Sequence, residues 1–199
     1  MIVPQQAVGE DTTWLKQANP RLWKYLSAHA DSFNARRSVI YKDKPPFSIF
    51  GVGDYSFKPY KVAMSGLYKS SHFSLLLPVN GKPVLLDDTC YLLGFDTLGQ
   101  AAVALGLLNS QPVQDFLKSI VFPDSKRPYT KDVLMRIDLQ KVVSLVSAKS
   151  VQNYLSKLEG PELDFDEADF EFFSSPELVE AQTMFIMEHS PACHAGRRR

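Results

Sequence analysis

The chain has 199 residues, 45% hydrophobic and 22% charged, enough for one domain with a core plus an appendage but short of two full domains. No apolar run reaches the roughly 18 residues that span a bilayer, the start MIVPQQAVGED lacks the basic and apolar segments of a signal peptide, and the distant Cys90 and Cys193 suit a reducing, cytoplasmic setting better than a disulfide framework. The zero net charge hides a segregation: residues 15–150 carry 18 Lys/Arg against 10 Asp, a net +8, whereas residues 151–199 carry 4 against 10 Asp/Glu, a net −6. A basic body with an acidic tail is the pattern of a molecule that meets a polyanion, and a solvated charged surface is the alternative.

Residues 1–20 read as extended up to a turn at Asn19-Pro20. In PRLWKYLSAHADSFNAR the spacing of Leu22, Trp23, Leu26 and Ala30 predicts one helix over about 21–34. RRSVIYKDKPPF is basic and ends in two prolines that stop a helix. FSIFGVG, KVAMSGL, FSLLLPV, KPVLLDD and CYLLGF follow at short intervals, with Asn80-Gly81 as a hairpin signal between two of them. Residues 46–95 therefore read as a mainly antiparallel sheet of four to five strands.

From Asp96 the period changes. Ala101, Ala104, Leu105 and Leu108, then Val113, Phe116, Leu117 and Ile120, predict two helices flanking the sheet, an α+β fold. FPDSKRPYTKD is an irregular basic loop, VLMRIDL a short strand or turn, and LQKVVSLVSAKSVQNYLSKLEG a further helix that breaks at Gly160-Pro161. PELDFDEADFEFFSSPELVEAQTMFIMEH is acidic and aromatic, a docking segment with a final helix whose charge would let it fold over the basic loops as a lid. The expected organisation is an N-terminal segment and helix (1–45), a core of sheet plus two helices (46–145), and a C-terminal helix with acidic tail (146–199).

Several chemistries find little support. MSGLY is not the strained elbow of a Ser-His-Asp site. His29 falls in a helix, His72 near a strand end, and His189, Cys193 and His194 form an HxxxCH cluster short of a fourth metal ligand. GVGD at 51–54 lacks the third glycine and following helix of a phosphate loop. Asp87 and Asp88 with Asp124 and Lys126 offer an alternative, the Mg²⁺-binding acids and lysine of a restriction nuclease. That motif calls for a strand, and Lys126 stands in a loop beside Arg127 and Pro128. A protein-interaction module using the acidic aromatic tail is the other alternative.

The basic positions recur at element ends: Arg36, Arg37, Lys42 and Lys44; Tyr55, Lys58, Tyr60 and Lys61; Tyr68 and Lys69; Lys126, Arg127 and Lys131, with Arg136 after them. Lys and Arg neutralise phosphates and set register, while tyrosine and arginine can reach base edges. The expectation is that these turns, at the rim of a β scaffold, converge on one face.

The phrases RRSVIYKDKPPFSIFGVGDYSFKPYKVAMSGLYK, GKPVLLDDTCYLLGF and LLNSQPVQDFLKSIVFPDSKRPYTKDVLMRIDL resemble the TaqI-like C-terminal specificity domain of type II and IIG adenine-N6 DNA methyltransferases of restriction-modification systems. They are similar, more loosely, to the target-recognition domains of type I specificity subunits. The resemblance covers about residues 3–140. It implies a target-recognition core that binds double-stranded DNA and directs a methyltransferase catalytic domain, in cis or as a separate chain. It implies that S-adenosylmethionine is bound by that domain, whose FxGxG and Asn-Pro-Pro-aromatic motifs are not in these 199 residues. On this reading the chain alone has no catalytic residue, metal or cofactor, and needs no membrane.

Overall fold

In the computed structural model, which describes residues 2–87 and 89–175, the chain divides into two units, the first ending at Asp54 and the second beginning at Tyr55. In the first unit the helices are short: α1 (Leu15–Ala18), α2 (Pro20–Ala28) and α3 (Ala30–Asn34). The Asn19 side chain accepts a hydrogen bond from the Leu22 amide at 3.2 Å, and Pro20 takes the first helical position, where its missing N–H costs nothing. The single helix predicted over 21–34 breaks at His29, whose backbone (φ −109, ψ 16) leaves the helical region. Leu15, Leu26 and Phe47 are buried together, with the Trp23 and Phe33 rings each 5.2 Å from Phe47. Gln5 is buried and ties the N-terminal segment down, donating to the Glu10 carbonyl at 2.8 Å and accepting from the Ile49 amide at 2.8 Å.

FSIFGVG is not the strand its composition predicts. Phe47 (φ 61) and Gly51 (φ 73) are left-handed, so the extended run is broken twice. The Phe47 ring is spent on the small core of this unit instead.

In the second unit a single turn, α4 (Asp54–Phe57), precedes three strands, β1 (Tyr60–Ser65), β2 (Ser74–Leu76) and β3 (Cys90–Phe95), in the order β2-β1-β3 with both pairings antiparallel. Among the described residues the expected four to five strands are therefore three. The predicted turn at Asn80-Gly81 is present: both residues have positive φ, and Val79 and Lys82 exchange both backbone hydrogen bonds, at 2.9 and 3.1 Å. Pro83, with no amide hydrogen to donate, follows at once, and KPVLLD leaves the ladder after that single bridge.

Val62 and Met64 alternate onto the face of β1 that meets α5 (Leu98–Leu108). Every residue from Ala101 to Leu108 is buried, so α5 is a central helix with no solvent face rather than an amphipathic one. Against it pack α6 (Gln111–Ile120), α8 (Leu139–Leu145), α9 (Ala148–Leu155) and α10 (Glu167–Glu171), while α7 (Lys131–Leu134) adds Leu134 to the same core. The fold is α+β, a central antiparallel sheet with flanking helices. The helix predicted from Leu139 to Gly160 is two: Val146 is extended, and the Ser147 hydroxyl accepts from the Ser150 amide to start α9.

The acidic segment is anchored rather than spare. Leu163 and Phe173 belong to the buried core, Phe173 with no exposed surface, and Gln140 donates to the Ser175 carbonyl at 2.8 Å. A lid over the basic loops is therefore not the role of residues up to 175. The predicted final helix and the His189, Cys193 and His194 cluster lie outside the described residues.

Where α5 and α9 meet, a Cβ on Gly106 would stand 2.6 Å from Val151 Cγ1 and 3.3 Å from its Cβ. Gly106→Ala should therefore destabilise by about 1–3 kcal/mol through overpacking, although alanine is the better helix former by about 1 kcal/mol. A second change, Val151→Ala, should relieve the clash. Urea melts of the four chains of this double-mutant cycle should show clear non-additivity, and additive values would deny the contact.

Candidate nucleic-acid interface

In the first unit, Arg36, Arg37, Lys42 and Lys44 line one cleft of about 660 Å³, floored by Phe33, Tyr41 and Phe47. Two prolines and a left-handed Asp43 (φ 59) bend the chain so that these side chains share one concavity. Arg36 is its brace. Its guanidinium donates to the carbonyls of Phe33 (3.0 Å) and Ser48 (2.5 Å) and lies 3.7 Å over the Tyr41 ring. Arg37, Lys42 and Lys44 are exposed, and among the described residues none of them is held by a hydrogen bond of this kind.

In the second unit the predicted residues separate to the two ends of β1, which spans roughly 17 Å at the usual strand rise. Tyr55, Lys58, Tyr60 and Lys61 cluster at its start. Lys61 is fully buried, and its ammonium donates to the Lys58 carbonyl at 2.5 Å. Burial lowers its pKa. Lys61 is thus an interior group and drops out of the interface. Lys58 is 34% exposed and paired with Asp96 at 2.5 Å, so any phosphate would compete with that carboxylate. Tyr55 and Tyr60 are half-buried.

Past the far end of β1, Tyr68 and Lys69 are exposed, and Lys69 does what the sequence did not announce. Its ammonium donates to the carbonyls of Pro123 (2.8 Å) and Ser125 (2.6 Å), clasping the basic loop to the strand-end turn. Lys126 and Arg127, both exposed, follow directly on that loop. Tyr68, Lys69, Lys126 and Arg127 are therefore brought together. Tyr129 goes into the core, Thr130 accepts from the Val133 amide to start α7, Lys131 is half-exposed, and Arg136 is exposed beyond that helix.

Beside the clasp lies a cleft of about 800 Å³ whose lining includes Lys69, His72, Lys118, Tyr154 and Lys157, and, among the described residues, no carboxylate. Its wall is fixed. Asn109 accepts from the Phe73 amide and donates to the Phe73 carbonyl, each at 3.0 Å, while Gln114 donates to the Ser71 carbonyl at 2.9 Å and accepts from the Ser71 hydroxyl. Burial pushes the Tyr154 phenol up, so the ring is neutral at ordinary pH. Lys118 and Lys157 escaped sequence reasoning because they stand at or just past the ends of α6 and α9, and only the tertiary fold joins them. The place of His72 near a strand end is the one sequence signal for this cleft.

The nuclease alternative is not favoured. The Asp87 carboxylate accepts from the Thr89 hydroxyl (2.6 Å) and amide (2.9 Å), bonds that lower its pKa within a surface turn. Asp124 is exposed on the loop beside Lys126, Asp88 is outside the described residues, and among the described residues no three His, Cys, Asp or Glu are grouped to hold a metal. Among them, too, no helix is long and apolar enough to cross a membrane.

No family model matches the chain, and no solved structure matches it. Among characterised proteins it is similar to the Type II methyltransferase M.NspV of Nostoc sp., with 41% identity over 146 residues. The match takes in 73% of this chain and 30% of the relative, so the chain spans less than a third of that protein. A large part of this chain is thus related to one region of a Type II methyltransferase.

Proposed function

We propose that this chain is the DNA sequence-recognition part of an adenine-N6 DNA methyltransferase, of the TaqI-like C-terminal specificity kind. It selects the site on duplex DNA at which a catalytic domain, in cis or on another chain, transfers a methyl group. The observation that carries this reading is the 41% identity to M.NspV confined to 30% of its length, a share suited to one functional part of such an enzyme. The basic character of both clefts supports it: Arg37, Lys42 and Lys44 in one, Lys69, Lys118 and Lys157 in the other, with Lys126 and Arg127 beside the second.

Phosphate anchoring falls to these lysines and arginines, and groove contact to Tyr68 and Arg136. S-adenosylmethionine, the methyl donor, belongs to the catalytic domain. The residues here do not fit it, since Gly51 and Gly53 lead into the single turn of α4 rather than the N-terminus of a long helix. The test is anisotropy of the full chain with a labelled 30-bp duplex. Binding at 50 mM salt should weaken about a thousandfold by 200 mM if some six phosphates are engaged. Absence of binding at 50 mM, or binding indifferent to salt, overturns the reading.

A further inference from the structure

Phe122 has 80% of its surface exposed, on the turn closed by the Ser125 amide donating to the Phe122 carbonyl at 3.1 Å. The Lys69 clasp on Pro123 and Ser125 joins this turn to the one that carries Leu67 and Tyr68, 44% and 60% exposed. Single apolar side chains on a surface are ordinary. Here, though, a phenyl ring, a phenol and a leucine stand on two turns that an ammonium group pins to each other, which is more order than solvated tips require. The surroundings name the partner. Lys118, Lys126 and Arg127 flank the ring in sequence, against Asp115 and Asp124, so the local charge is positive and suits a polyanion rather than an apolar protein surface.

Resting on the recognition function proposed above, we infer that Phe122 is an apolar wedge that enters the duplex between base steps. Tyr68 and Leu67 follow it against the groove, and Lys126 and Arg127 hold the adjoining phosphates. Inserted apolar side chains unstack a step and kink the duplex, exposing a base that would otherwise be out of reach. The clasp matters because a ring can be driven into a stack only from a turn that does not yield.

Phe122 makes little packing contact, so Phe122→Ala should fold as the native chain does. The probe is a duplex recovered from a random 20-bp pool by selection on the full chain, then resynthesised with 2-aminopurine at one position after another. Native protein should raise 2-aminopurine fluorescence at one step. Phe122→Ala should abolish that rise and weaken binding about tenfold or more, as loss of an aromatic–base stack does, with the salt slope unchanged. Phe122→Trp should keep the rise. If native and Phe122→Ala chains bind alike with the same fluorescence, as they would were the ring a protein-docking group, insertion is overturned and the recognition reading stands. If the native chain recovers no duplex, both are overturned.

Discussion

Truncation after Lys157 is expected to unfold the second unit. The segment it removes looks expendable by charge, with Glu159, Glu162, Asp164, Asp166, Glu167, Asp169 and Glu171 in 13 residues. Yet it carries Leu163 and Phe173, both in the core, and Phe173 lies 6.1 Å from the Phe95 ring of β3 and 5.3 Å from Phe172. It also carries α10, fastened by its own capping box of Asp166 and Asp169, with Asp169 accepting from the Thr97 hydroxyl at the start of α5. Loss of one buried phenylalanine side chain costs about 3–5 kcal/mol, against a total stability of about 5–15 kcal/mol for a domain. Removing Phe173, Leu163 and the partners around them should exceed what such a unit can lose.

The graded version is Phe173→Ala in the full chain. Its urea midpoint should drop by the equivalent of about 3–5 kcal/mol, whereas the exposed Glu171→Ala should move it by less than about 0.5 kcal/mol. A cooperative, native-like transition in the chain ending at Lys157 would show that the acidic segment is not part of the fold.

Local pattern carried much of this architecture. The alternation in KVAMSGL, FSLLLPV and CYLLGF produced β1, β2 and β3, Asn80-Gly81 produced its turn, and the apolar spacing after Asp96 produced α5 and α6. The failures have physical causes. FSIFGVG has strand composition, but nothing in it signals that Phe47 would go left-handed to fill a separate small core. The charges of PELDFDEADFEFF mask its anchors, because Leu163 and Phe173 turn inward while the acids between them stay wet. Lys61 reads as the solvent-facing member of an alternating strand, which presumes that one face of β1 is open. That face is closed near Gly94, where an added Cβ would strike the Lys58 side chain and the Tyr55 carbonyl. Basic residues at strand ends were thus found correctly as surface groups only where no neighbouring segment came to cover them, a property of the tertiary structure alone.

The contrast between Lys61 and the clasped loop yields the second large effect. If Lys126 and Arg127 each hold one phosphate, as proposed, Lys126→Ala and Arg127→Ala should each lower the slope of log K against log salt by about one. The double variant should lose affinity evenly across sequences, by tenfold or more at about 100 mM salt, because phosphate contacts carry no base information. Lys61→Met keeps an unbranched side chain of similar length in the interior of β1 and removes only a charge that never reaches solvent. Its slope should equal that of the native chain, whatever it does to stability through the unpaired Lys58 carbonyl. Anisotropy titrations at four salt concentrations on the four variants and the native chain decide the matter. A slope lowered by Lys61→Met, or left intact by the Lys126→Ala, Arg127→Ala pair, would move the phosphate contacts away from the loop that Lys69 holds.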